Sequence, residues 1–295
     1  MTRVRRVEFE SGGVGIVGLL HLPDGEGPFP AVVLQGPLTS VKEQVTGNYA
    51  KAMAARGFAS LSFDHRFFGE SGGEPRQYES PAKKIEDVRS AVDFLASLPE
   101  VDAERIAAIG VCAGGGYMAG AVAGEPRVKA FATVAGFFHD NGMQKQWMGD
   151  GYEAALAAAE AARARYESEG ELETIPAVGK GEPVAMPLDE AYEYYGTPRG
   201  AVPNYVNRFA VLSRLDTLPY DAQQYAGRIG VPTLVVHSDK ALAPSLARKF
   251  YEGLGGAKAL HWTESKGQID FYDDPAQIEP AADRIAAHFR DALSG

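Results

Sequence analysis

Cysteine is almost absent from this chain: one residue, Cys112, in 295. A single cysteine excludes an internal disulfide and any cysteine-rich zinc site. Long hydrophobic runs are missing too, and no segment reaches the roughly 18 apolar residues that a membrane-spanning helix needs. Positive charge is in deficit, with 29 Lys and Arg against 39 Asp and Glu and a net charge of −10. That balance argues against a nucleic-acid-binding surface, which requires a basic stripe. The one basic run, Arg3, Arg5 and Arg6, is not followed by an apolar stretch, so it does not read as a signal peptide and a cytoplasmic location is expected. Internal repeats and low-complexity linkers are lacking as well.

What is present is the make-up of an ordinary soluble protein, 45% apolar and 23% charged. Its length suits one large α/β domain or a domain with a sizeable insertion. Two strands, Val4–Glu10 and Val14–Leu22, flank the hairpin signal Ser11-Gly12-Gly13. Short apolar runs then predict strands at Phe29–Leu34, Phe58–Phe63, Arg105–Val111 and Val128–Val134. Helical spacing predicts helices at Tyr49–Arg56 and from Pro81 to Ser97. Strands alternating with helices in this way indicate βαβ units and a mostly parallel sheet. The rhythm breaks after Phe138 and resumes near Asp221. The intervening stretch holds an Ala-rich helix, Ala154–Tyr166, and a Tyr-rich piece, and reads as an insertion over the sheet's C-terminal edge. The expected division is core over 1–137, helical lid over 138–221 and core again over 222–295. The later elements are the strand Thr233–His237, the helix Ser245–Leu254, the strand Ala259–Thr263 and a final helix, Ala276–Leu293.

The chemistry centres on Gly110-Val111-Cys112-Ala113-Gly114, between a predicted strand and a predicted helix. A G-x-nucleophile-x-G pentapeptide in that context makes a sharp turn that lifts the nucleophile out of the sheet. The helix N-terminus beneath it offers unpaired N–H groups and a positive dipole end, both of which lower the pKa of a thiol. Elsewhere a lone cysteine reads as a buried small hydrophobe. The competing dinucleotide-binding pattern, Gly114-x-Gly116-x-x-Ala119, lies mid-chain and lacks the ribose-binding acid on the next strand.

Taken with Val41-Lys42-Glu43-Gln44 and Gly69-Glu70-Ser71-Gly72-Gly73-Glu74-Pro75-Arg76, this stretch resembles the dienelactone-hydrolase-like α/β hydrolases. Within them it is most similar to the branch containing fungal polyketide transferases. The resemblance implies an α/β-hydrolase fold, with a mostly parallel central sheet flanked by helices and an inserted helical lid. It implies a cysteine nucleophile working with a histidine and an aspartate, and no cofactor or metal. In the oxyanion hole, the Ala113 N–H follows the nucleophile, and Gly36-Pro37-Leu38 occupies the family's His-Pro-x position. Pro37 has no N–H, which makes Leu38 the second donor; a plain turn at that place is the alternative.

The chain departs from the family at the other two triad positions. The family's segment His-x-Asp-x-Tyr-Asp reads Gln268-Ile269-Asp270-Phe271-Tyr272-Asp273, so glutamine stands where histidine is expected. Glutamine can hydrogen-bond but cannot accept a proton near neutral pH. The aspartate would fall near Ala241, and Asp239 is the nearby carboxylate. Two of the six histidines, His65 and His139, lie at strand C-terminal ends and are the candidate replacement bases.

These residues support an acyl-processing enzyme acting on an ester, lactone or thioester, by hydrolysis or transfer, in polyketide-type secondary metabolism. The alternatives are a cofactor-free lyase, isomerase or oxygenase on the same scaffold, and a non-catalytic ligand-binding protein with a relic site. The aromatic residues of the insertion, Trp147, Tyr192 and Tyr195 among them, suit a bulky or aromatic small molecule; lid packing is their other reading. A homodimer is compatible with the composition; a nucleic-acid or membrane partner is not expected.

Overall fold

The computed structural model describes residues 3–181 and 183–294. The chain opens with the antiparallel hairpin β1 (Arg3–Ser11) and β2 (Val14–Leu22), turned at Gly12-Gly13. There follow β3 (Phe29–Gln35), α1 (Val45–Ala54), β4 (Ala59–Phe63), α2 (Pro81–Ala96), β5 (Val101–Val111), α3 (Ala113–Val122) and β6 (Val128–Val134). Next comes the segment read as an insertion, with α4 (Asn141–Met148), α5 (Gly151–Glu169), β7 (Thr174–Ile175), α6 (Asp189–Tyr195), β8 (Phe209–Ala210) and α7 (Arg214–Thr217). The chain closes with β9 (Thr233–His237), α8 (Pro244–Gly253), β10 (Lys258–Trp262), α9 (Asp270–Asp273) and α10 (Pro275–Ala292).

Eight strands form one sheet in the order β1-β2-β4-β3-β5-β6-β9-β10. β2 pairs antiparallel with β1 and β4, and the pairings from β4 through β10 are parallel. This is the mostly parallel, helix-flanked sheet expected from the sequence. Its strands are apolar on both faces because helices cover both. Along β5, Ala107, Ile109 and Val111 enter one core layer with Tyr49 and Phe289 from α1 and α10. Ile106 and Ala108 enter the other, with Val88, Val92 and Phe250 from α2 and α8. The two-residue period of a strand thus sorts one segment between two cores.

The sheet order reverses direction at β3, since β4 lies on one side of it and β5 on the other. Parallel sheets place ligands at such a point, outside the strand C-termini. The loops after β3, β5, β6 and β9 all leave from that edge.

Candidate active site

Cys112 sits between β5 and α3 with φ 55° and ψ −129°, a left-handed backbone that a β-carbon makes strained. Two glycines permit it by close approach. A β-carbon on Gly110 would lie 2.5 Å from the Gly114 carbonyl oxygen, and one on Gly114 only 2.3 Å from that of Gln35. The Cys112 carbonyl accepts from the N–H groups of Gly115 and Phe137, so the turn is fixed from its own helix and from the end of β6.

The thiol lines a cavity of about 410 Å³. Its walls include Leu38, Ala113, His139, Trp147, Tyr195, Gln268 and Tyr272. The Tyr272 hydroxyl, the Ala113 N–H and the Gln268 side chain lie near the sulfur and favour its charged form. Burial raises the thiol's pKa, the nearby Glu190 adds to the rise, and those three groups act against it without cancelling it. This corrects the expectation of a depressed pKa: the helix N-terminus is present, but desolvation outweighs it.

Gln268, on the loop before α9, is held at both ends. Its Nε2 donates to the Ala135 carbonyl at 2.8 Å, and its Oε1 accepts from the Leu242 N–H at 2.9 Å. Ala135 lies just past β6 and Leu242 just past β9, so the amide ties two of the converging loops together. The loop after β3 is anchored separately. The Thr39 N–H donates to Glu79, which pairs with Lys84 at 2.7 Å. Lys42 binds Asp64 through both its N–H and its Nζ, each at 2.8 Å. Burial opposes the Lys42 charge, but Asp64 and Glu70 push its pKa up to about 12. Leu38, the expected second oxyanion donor, therefore sits on a braced loop at the cavity wall, and Ala113, the first residue of α3, lines the same wall.

The other sequence candidates divide. His139 lines the cavity, its ring stacked on Tyr117 and edge-on to Phe137 and Tyr220. Burial lowers its pKa to about 3, which makes it a poor proton acceptor. His65 is corrected: it is not in the cavity wall but packed on Phe63, with Nδ1 3.1 Å from Asp87 of α2. Its ring turns to the α2 side of the sheet because Asp87 and Arg66 form a buried ion pair there. Asp239 is corrected too; its carboxylate is 73% exposed and pairs with Arg248 at 3.0 Å. The loop after β9 turns outward at that residue, and the main-chain N–H of Leu242 reaches Gln268 in place of a carboxylate. Trp147 and Tyr195 line the cavity, whereas Tyr192 does not and has Lys180 over its ring.

Sequence reasoning missed Tyr272, which served only to set the register of the Gln268 segment, along with Leu242, Glu190 and Arg214. A tyrosine four residues after the histidine position was the available signal for the first. Leu242 acts through its backbone, which no side-chain pattern reveals. A second groove, of about 630 Å³, runs along α2 and α7, but neither Cys112 nor Gln268 reaches it.

The esterase FrsA-like family matches residues 1–158, more than half of the chain. The chain belongs to the esterase FrsA-like family. This chain, of an α/β-hydrolase-type esterase family, is 34% identical to the uncharacterized protein PA2218 of Pseudomonas aeruginosa strain PAO1, over 98% of this chain and 81% of that one. The crystal structure of PA2218 superposes with a TM-score of 0.86, covering 99% of this chain and 94% of that one. The FrsA-like chain is also 25% identical to a thiohydrolase from Eupenicillium brefeldianum, over 90% of this chain and 87% of that one. A shorter match, 34% identical, relates it to the polyketide transferase claH of Penicillium crustosum, over 38% of this chain and 37% of that one. The fold is the α/β-hydrolase fold.

Proposed function

We propose that Cys112 takes an acyl group from a thioester and passes it to an acceptor nucleophile. The observation that carries this reading is the place of the sulfur: on a strained elbow, in a cavity wall, with the Ala113 N–H beside it. Its thiolate adds to the carbonyl carbon and the carbonyl electron pair moves to oxygen, where the Ala113 and Leu38 N–H groups receive it. The pair then returns and the carbon–sulfur bond to the leaving thiolate breaks. The proton released by Cys112 ends on that thiolate, with the Tyr272 hydroxyl as the adjacent relay.

Among ester, lactone and thioester, the thioester fits best. Its leaving thiol has an ordinary pKa of about 8.5 while burial raises that of Cys112, so the leaving thiolate is the less basic of the two and departs without a strong acid. An alkoxide would need a proton donor as it leaves. Hydrolysis of the acyl-enzyme is the slow branch, because Gln268 has no proton acceptor to activate water. An amine acceptor in its free-base form is nucleophilic enough to attack without a general base, and the proton it then loses passes to the departing Cys112 sulfur. The relatives described as thiohydrolase and polyketide transferase support a thioester from polyketide-type secondary metabolism. Segment 138–221, in this reading, is the lid that selects the acyl chain.

The locked amide of Gln268 favours a second reading, in which no acyl-enzyme forms and the same donors hold an enolate for cofactor-free chemistry. Intact-mass measurement after incubation with acyl thioesters decides between them. An acyl adduct on Cys112, absent from Cys112→Ala, is expected; its absence across the set would reject acyl transfer.

A further inference from the structure

Two side chains of the acidic and basic types line the reactive cavity among the described residues, Glu190 and Arg214. Glu190 belongs to the reacting end: its Oε2 accepts from the Ile269 N–H, next to Gln268, and its charge is felt by Cys112. Arg214 begins α7, which packs against α5 and α2. Residues 214, 217 and 218 line the cavity while 215, 216 and 219 line the groove outside, so the helix presents one face inward with Arg214 on it.

No hydrogen bond or ion pair occupies the Arg214 side chain among the described residues. The acid whose charge it feels, Glu173, is already paired with Arg165. The cavity wall that Arg214 shares is largely apolar, with Met186, Phe209 and Leu218 among its residues. A half-buried guanidinium in such a setting is unfavourable unless an anion meets it. Burial accordingly lowers its pKa.

We propose that the acyl group carries a carboxylate remote from its reacting carbonyl, and that Arg214 binds this carboxylate. The statement rests on the acyl-site reading above and adds the class of acyl chain. The two charges orient such a substrate, since Glu190 repels the carboxylate from the thiol end and Arg214 draws it to the other. A guanidinium fork meets a carboxylate with two parallel hydrogen bonds.

The test uses two measurements. In the first, Cys112→Ala is titrated by calorimetry with the monoamides of dicarboxylic acids from succinic to suberic, each against its uncharged alkyl amide. The carboxylated probe of the best length is expected to bind roughly 10- to 100-fold tighter than its uncharged partner. Arg214→Gln in the same background should remove that preference, and Arg214→Lys should keep part of it. Equal binding of the two probes, or a preference untouched by Arg214→Gln, would overturn the inference. In the second, the wild-type protein is given the matching monothioesters and the adduct on Cys112 is followed by mass. Faster acylation by the carboxylated thioester, lost in Arg214→Gln, supports both readings. A binding preference with no adduct from any thioester would sustain the anion site and reject acyl transfer.

Discussion

The Oε1 of Gln268 accepts a hydrogen bond from the Leu242 N–H at 2.9 Å, so the loop after β9 offers a donor to this position. In a Cys–His–Asp site that loop offers a carboxylate, an acceptor, and the difference inverts what a side chain at 268 must be. A histidine placed there would turn an unprotonated nitrogen to Leu242 and its N–H to the Ala135 carbonyl, leaving nothing for the thiol. Gln268→His is therefore expected to raise hydrolysis of activated esters only partially, on the order of tenfold, below the roughly 10²–10⁴-fold of a well-placed base. Adding Ala241→Asp supplies the missing acceptor and should raise it further. Steady-state rates check this, and Cys112→Ala should abolish the gain. Wild-type ester turnover already equal to the double variant would refute the disabling role of Gln268.

A second prediction concerns the thiol. Burial raises the Cys112 pKa and the Tyr272 hydroxyl opposes the rise. Alkylation by iodoacetamide should be slow at neutral pH and accelerate as the pH climbs through the ordinary thiol range and beyond. Tyr272→Phe removes a donor that favours the thiolate, so its rate profile should move to higher pH. A profile moved to lower pH would mean that the tyrosine acts as an acceptor from the thiol.

How much of this was legible in the sequence follows from where the information resides. β6 and β9 run from Val128 to Val134 and from Thr233 to His237, as apolar run length alone predicts. The elbow was equally plain, because Gly110 and Gly114 are required by contacts with backbone close by in sequence or on the neighbouring strand. α1 begins four residues before its apolar spacing suggests, since Val45 and Thr46 are buried by tertiary packing. α4 has no buried residue at all, which deprives it of the periodic signal by which helices are found. Position 268 was readable from its Tyr-Asp neighbour, but its partners Ala135 and Leu242 contribute main-chain atoms, and every residue has those. Asp239 and His65 were misplaced for a related reason: chain position brought them to the correct edge, while Arg248 and Asp87 decided which way they point.

Gly114→Ala provides a test of the elbow. Its new β-carbon would meet two carbonyl oxygens of the β3 end, those of Gln35 at 2.3 Å and Gly36 at 2.5 Å. Backbone cannot yield as a side chain tip does, so the expected loss is at the upper end of overpacking costs, about 3 kcal/mol or more. Thermal melting measures it; a melting temperature within a degree of wild type would show that the β3 and β5 ends are not held as close as described.

His139 makes a prediction about acid stability. Its imidazole is buried among Tyr117, Phe137 and Tyr220, and among the described residues its Nδ1 has no hydrogen-bond partner. Burial lowers its folded pKa to about 3, against about 6.5 in the unfolded chain. A base whose folded pKa is depressed binds its proton more readily when unfolded, so protons favour unfolding. The contribution is fully present above about pH 6.5 and is lost as the pH falls from there toward 3. At pH 4.5 the loss amounts to about 2–3 kcal/mol. His139→Phe keeps the aromatic packing and removes the titration, so its stability should fall less steeply over that window. Urea unfolding at a series of pH values gives both curves, and the difference between them isolates this residue from the carboxylates that titrate in the same range. Parallel curves for wild type and variant would show that His139 is already hydrogen-bonded to water or solvated in the folded protein, and that the cavity wall is wetter there than its aromatic neighbours imply.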